Sequence, residues 1–524
     1  MSERSKRVQE CPSYSVVEVM SVEIQSTAAS AIGLRSADRQ GRFDALRSWL
    51  SEKVSASSLV IFRISFGLVM AFWAFDYLRL DQVRLVCAPG MFHFTYSGFS
   101  WVRPWPDHGM ILQFVVMLLS AIMIAAGAMY RISTVLFALG FTHFFLIDRT
   151  NYQNHYYLIL LLSWLMAVLP ANRMFSVDAM NGFATSSRVI PRWCLLLLQF
   201  HIALPYVFGG VAKIDGDWLS GEPMRNILRI QGWSDWSHGW FSENSVSLFF
   251  TWGGLHFDLL IVPAILWRRT RLAAFLVAIG FHLSNSLLFN IHVFPWLMIA
   301  ATTVFFDSDW PDKFFVWLNP GTGKVASAQL SAAQRGVISK PAVILILAYC
   351  SFHILWPLRH LVYEGNSGWT EQGHYFAWRM MLRGKTVGLR YYVTDPETGK
   401  TQHADIRQFL NPEQQIKFAR DPEMILDLSH GLAADLFRRT GRQTEVRALV
   451  LASLNGRKPQ LLIDPAVNLA AEPELALNRP WIVSLHEPLR KAPWTVPLHE
   501  WERHVDIPEL PFLNIQTQIS TIHK

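Results

Sequence analysis

The chain has 524 residues, 51% of them hydrophobic and only 17% charged, with a formal net charge of +7. Soluble domains carry about 25% charged residues, so the composition argues against an ordinary cytosolic enzyme, and so much apolar side chain also excludes intrinsic disorder. The four cysteines form no CxxC and no zinc-type spacing, which leaves neither a disulfide scaffold nor a structural zinc domain.

Residues 1–54 are polar and basic, holding Arg4, Lys6, Arg7, Arg35, Arg39, Arg42, Arg47 and Lys53, and they lack the short apolar core of a signal peptide. They read as a cytoplasmic segment beside a membrane. Nine apolar runs follow, at Ser58–Leu78, Met110–Tyr130, Ser133–Ile147, His155–Leu169, Leu195–Lys213, Phe249–Trp267, Leu272–Phe289, Val293–Phe306 and Pro341–Val362. In lipid such runs are helices, because every backbone polar group must be paired within the segment. Several of these runs fall short of the ~20 residues that a full crossing needs. With the N-terminus inside, the inner loops carry more Lys and Arg than the outer ones, which places the region after the ninth run on the non-cytoplasmic side.

Residues 55–364 therefore form a polytopic helical membrane domain, and residues 365–524 a smaller mixed α/β domain. In the latter, Leu389–Val393 and Thr401–Ile406 flank the turn Asp395–Gly399, and Val446–Leu454 and Gln460–Ile463 flank Asn455-Gly456, a hairpin signal. Between the two hairpins, Pro412–Arg439 has helical spacing and stops near Gly441.

Ionisable residues inside spans are costly and mark function by default. Here they include Arg63, His143, His155, His201, His282, His353, His360 and Lys213, with Asn285 beside His282. Most single histidines of this kind bond across helices, and a lysine at a span end ordinarily snorkels to the headgroups. Arg63 is expected to pair with the cytoplasmic surface or an acidic partner. The stretch Phe208–Gly221 is less ordinary. It has Gly209 and Gly210 inside the span, then Lys213, Asp215, Asp217 and Trp218, and a short amphipathic helix at Met224–Ile230. An amine kept out of water is more easily held neutral, and a neutral amine is a competent general base.

At these residues the sequence resembles the vitamin K-dependent gamma-glutamyl carboxylase family. The strings that carry the resemblance, in order, are Phe62–Gly67, Asn154–Tyr157, Pro170–Asp178, Gly209–Gly221, Phe281–Phe289 and Trp369–Met381. The resemblance implies an enzyme that uses reduced vitamin K, a naphthohydroquinone, with dioxygen and carbon dioxide as co-substrates. It implies Lys213 as the base that deprotonates the quinol, and His155 as a holder of a developing oxyanion. Oxygenation of the quinol then yields a base strong enough to take the γ proton of a glutamyl side chain, carbon dioxide traps the carbanion, and the quinone leaves as its epoxide. His282, Asn285, Trp369, His374 and Trp378 are implied as walls of the quinone and glutamate sites. The implied partners are membrane lipid, the quinone and a Glu-containing peptide or protein.

The chain departs from the family in two respects. No cysteine follows Cys350, so Cys87 lacks the disulfide partner that the animal enzyme has, and the family's tyrosine position within Trp369–Trp378 is His374. Epoxidation alone and epoxidation coupled to carboxylation both stay open. So do a membrane protein binding haem or another metal through its histidines, and a non-catalytic scaffold of the same fold.

Overall fold

The computed structural model describes residues 40–87, 91–230, 244–289, 291–318, 337–510 and 512, so most of the basic N-terminal segment lies outside the described residues. In chain order, strand β1 (Lys53–Ser55) leads into helices α1 (Ser57–Arg79), α2 (Gly109–Ala126), α3 (Tyr130–Ile147) and α4 (Asn154–Val168). Strand β2 (Val189–Pro191) precedes α5 (Arg192–Ala212), and α6 (Glu222–Ile230), α7 (Asn244–Leu266), α8 (Arg271–Leu288), α9 (Phe294–Thr302) and α10 (Lys340–Leu355) follow.

Seven of these helices are long and apolar enough to cross a membrane, α10 being continued to Val362 by a 3-10 run. The other two expected runs, α4 and Phe294–Phe305, form shorter apolar helices. At 1.5 Å per residue, the 15 residues of α4 span about 22 Å, less than the ~30 Å hydrocarbon layer. Most of α4 is buried against its neighbours, so the longer helices enclose it.

The two ends of the bundle are distinct. At one end β1 pairs antiparallel with β2, and Ser55 N donates to Ser308 Oγ. There Arg63, fully buried in α1, donates from Nη1 to Ala171 O and Met174 O and from Nη2 to Ala125 O and Phe175 O, at 2.5–3.2 Å. Its expected acidic or surface partner is replaced by four backbone carbonyls of the turns that close this end. Asp178 of the same loop accepts from Met129 N, Tyr130 N and Asn172 Nδ2. Gly67 allows α1 and α2 to touch, since a Cβ there would lie 2.5 Å from Ala125 N.

The other end carries the C-terminal domain. Strands β3 (Lys385–Thr394), β4 (Thr401–Ala404), β5 (Glu445–Leu454) and β6 (Gln460–Leu461) form one antiparallel sheet in the order β4-β3-β5-β6. Both expected hairpins form, and Asn455 and Gly456 adopt positive φ in the second. The expected one or two helices over Pro412–Arg439 are two, α11 (Pro412–Phe418) and α12 (Pro422–Thr440), because Pro422 starts a new helix capped by Asp421, and Gly441 at φ 70° ends it.

The two cores exchange side chains. Phe94, from the loop between α1 and α2, stacks on Phe418 at 5.5 Å inside the C-terminal core, while Trp378 is buried in the core of the membrane domain. Arg149 pairs with Asp427, and Asp217 with Arg457, across the same junction.

Candidate functional site

Lys213 caps the outer end of α5 and is only 5% exposed. Its Nζ lies 2.6 Å from Asp258 Oδ2 on α7, 3.3 Å from Gly209 O and 5.1 Å from the centre of the Trp218 ring. Two glycines make this pairing possible. A Cβ on Gly210 would meet the Leu259 side chain at 2.8 Å, and one on Gly209 would meet Met380 Cε at 2.9 Å and Asp258 Oδ2 at 3.3 Å. The acids that directly follow the lysine serve other ends. Asp215 caps the turn Gly216–Leu219, and Asp217 takes two hydrogen bonds from Arg457, at 2.5 and 2.7 Å, and one from Asn455. Sequence reasoning missed Asp258. Its signal was a lone carboxylate within the apolar run Phe249–Trp267.

Tyr206, two helical turns before Lys213 on α5, is hydrogen bonded to His282 Nε2 of α8 at 2.8 Å and contacts Phe257, the neighbour of Asp258. His282 and His155 both pack on the ring of Phe294, with centroids 6.1 and 5.3 Å away. His155 Nε2 and His282 Nδ1 are buried without a hydrogen-bond partner. An unsatisfied buried polar atom costs about 1–3 kcal/mol, so two of them beside one ring point to a ligand that supplies the missing partners. Asn285 is half-buried one turn beyond His282. Tyr157, two residues after His155, packs on Trp378 at 4.9 Å.

The structure therefore brings Lys213, Asp258, Tyr206, His282, Phe294 and His155 into one chain of contacts, with Trp378 joining through Tyr157. It does not bring Trp369 there. That side chain is buried in the C-terminal core, where its indole N–H donates to Val483 O at 2.7 Å. An indole needs only an apolar body and one acceptor, and the C-terminal core supplies both. His374 is also apart from the aromatic walls. It lines a small polar cavity with Asp215, Asp217, Arg379 and Arg383, where burial and the cations Arg383, Arg379, Lys385 and Arg359 hold its imidazole neutral. Around this cavity the backbone has positive φ at Glu371, Phe376, Trp378 and Met381.

Among the described residues no group of three or more His, Cys, Asp or Glu side chains is placed to hold a metal ion. His201 has its Nδ1 bonded to Leu197 O and its Nε2 to Tyr349 Oη, so neither nitrogen is left for an iron.

Residues 51–310 match the HTTM domain, and residues 338–488 match the lumenal domain of vitamin K-dependent gamma-carboxylase. The chain belongs to the vitamin K-dependent gamma-carboxylase family. It is a multi-pass membrane protein whose C-terminal domain is lumenal. The family is one of enzymes. No solved structure matches the chain. The lumenal match begins just before α10, so this family unit includes the last membrane helix as well as the sheet domain, and residues beyond 488 lie outside it.

Proposed function

We propose that this family member is a naphthoquinol-dependent oxygenase that couples epoxidation of reduced vitamin K to carboxylation of glutamyl side chains, with Lys213 as its base. The observation that carries the reading is the burial of the Lys213 amine against Asp258, beneath the lumenal domain and at the end of a row of aromatic rings. A charged pair is removed from water only at a cost, and such pairs in membrane helices are characteristic of proton chemistry.

The residues present fit a flat ring that bears two oxygens. His155 Nε2 and His282 Nδ1 supply unpaired hydrogen-bonding positions, and Phe294, Phe257 and Tyr206 supply apolar surface. When bound with dioxygen, carbon dioxide and a glutamyl side chain, the reduced quinone supplies the oxidative chemistry, and the set leaves as epoxide, water and the γ-carboxylated side chain. The chain's own part is narrower. Lys213, as the neutral amine, receives the proton of a quinol hydroxyl, and the ammonium so formed is neutralised by the Asp258 carboxylate, 2.6 Å away. Tyr206 fixes the His282 ring, and the enclosing helices exclude water. Asn285 and Trp378 complete the surrounding wall in this reading, and Trp369 and His374 do not. The N-terminus is cytoplasmic in this arrangement, because β1 and residues 40–52 before it, with Arg42 and Arg47, lie at the end opposite the lumenal domain.

The test is to incubate the protein in lipid with vitamin K hydroquinone, oxygen, labelled bicarbonate and a Glu-rich peptide, scoring epoxide and fixed label separately. Lys213→Ala should lower both by about 10²–10⁴-fold. Lys213→Arg should not restore them, since a guanidinium stays protonated. Undiminished epoxide from Lys213→Ala would overturn the assignment, and epoxide without fixed label would reduce the function to quinol oxygenation.

A further inference from the structure

Helix α10 is lightly attached to the bundle. Of its side chains only Val343 and His353 are buried, while Leu345, Phe352 and Leu355 are exposed on the lipid side. The inserted surface is polar. On α5 it meets His201, which is fully buried. Because a carbonyl only accepts, His201 Nδ1 donates to Leu197 O at 2.8 Å; in the neutral ring Nε2 then accepts from the Tyr349 hydroxyl at 2.7 Å. The His353 ring lies 4.5 Å from that of Tyr349 and 5.4 Å from that of His201. His353 is 5% exposed and makes ring contacts only, with no hydrogen bond among the described residues.

Leucine at these positions would pack α10 on α5 with no polar atom to satisfy, whereas the His353 nitrogens have no hydrogen-bond partner among the described residues and are not sealed off by the protein. The groups left over are the His353 ring, with one N–H and one bare nitrogen, and the free lone pairs of the Tyr349 oxygen. Together they donate to a carbonyl and accept from a hydroxyl. His201 lies in the middle of α5, about 15 Å from either headgroup layer, which is too deep for a phospholipid headgroup. The cluster is also continuous with the catalytic region. Tyr349 packs against the core that contains Tyr157 and Trp378, Tyr157 packs on Trp378, and Met380 two residues further on abuts Gly209 beside Lys213.

We propose that His201, Tyr349 and His353 form a second headgroup site, at which a lipophilic quinone or quinol is held on its way between the bilayer and the Lys213 site. This inference rests on the reading of Lys213 as a quinol-directed base. Tyr349 and His353 bind and orient the headgroup, and His201 positions Tyr349.

The experiment uses the full chain in lipid nanodiscs and a photoreactive naphthoquinone with an isoprenoid tail. Label is expected on the peptides 192–212 and 340–362, in wild type and in Lys213→Ala alike, and it should be competed by unlabelled vitamin K. His353→Leu and the milder Tyr349→Phe should each cut that label at least about fivefold, equivalent to one hydrogen bond, and raise KM for the quinol by a similar factor with kcat unchanged. Label confined to the peptides of His155 and His282, and indifferent to both variants, would show that the three rings only fasten α10 to α5. Equal labelling by a photoreactive alkane without a ring would show ordinary lipid contact and would likewise overturn the site. Absence of specific label anywhere would remove the quinol reading itself.

Discussion

The two ends of the helix bundle use buried charge in opposite ways. At the end marked by β1 and β2, Arg63 and Asp178 are spent on backbone groups, four carbonyls for one and two amides for the other. At the lumenal end, Lys213 and Asp258 face each other across two helices, and two imidazole nitrogens nearby have no partner. Charge inside the membrane layer is therefore not a sufficient marker of chemistry. What separates the ends is that one ties its charges to backbone groups, though Arg63 Nε stays unpartnered, while the other sets charge against charge beside two unpartnered imidazoles.

The contrast can be broken at either end. The largest effect is expected from Asp258→Leu, which leaves the buried Lys213 amine without the carboxylate that neutralises it once protonated. It should cost about 3–5 kcal/mol of stability and abolish epoxidation together, measured by thermal denaturation in detergent and by turnover. Arg63→Met should cost at least about 4 kcal/mol through its four orphaned carbonyls, yet leave epoxidation per folded molecule unchanged. If Arg63→Met instead removed activity from well-folded protein, the division between the ends would fail. A smaller loss, about 3 kcal/mol, is expected from Arg457→Met, because Asp217 then loses its cation at the domain junction and keeps only Asn455. Limited proteolysis should show earlier cutting near residue 217, partly reversed by the added change Asp217→Asn.

The smallest effect concerns pH. Burial pushes the Asp427 carboxyl up to about 6, Arg149 pulls it down, and Asp421 and Glu474 raise it. The folded protein thus binds this proton more tightly than the unfolded chain, so the contribution of Asp427 favours folding at low pH and is lost as pH rises through about 6. Melting temperatures between pH 4.5 and 7 should show this slope in wild type, and a flatter one in Asp427→Asn.

Much of this was legible in the chain. The runs of apolar residues gave helix limits to within a few positions, because lipid tolerates no other backbone state, and Asn455-Gly456 marked its hairpin through the positive φ that the turn needs. Lys213 stood out as an ionisable group beside two glycines. Its partner did not, since Asp258 lies 45 residues away in sequence and only the α5–α7 contact joins them. Arg63 was misread because backbone carbonyls leave no trace in a sequence as potential partners. Trp369 was misplaced for a related reason. It shares a motif with Trp378, and the chain between them turns so that one ring enters each core.

That exchange of rings has a mechanical consequence. With Phe94 set into the sheet domain and Trp378 set into the helices, the upper body cannot lift away like a hinged roof without drawing an indole out of the bundle and a phenyl ring out of the sheet's interior. Under the proposed function, a polypeptide substrate would have to thread between fixed walls to reach the lysine. Either half produced alone would also carry an unfilled hole where its neighbour's ring belongs.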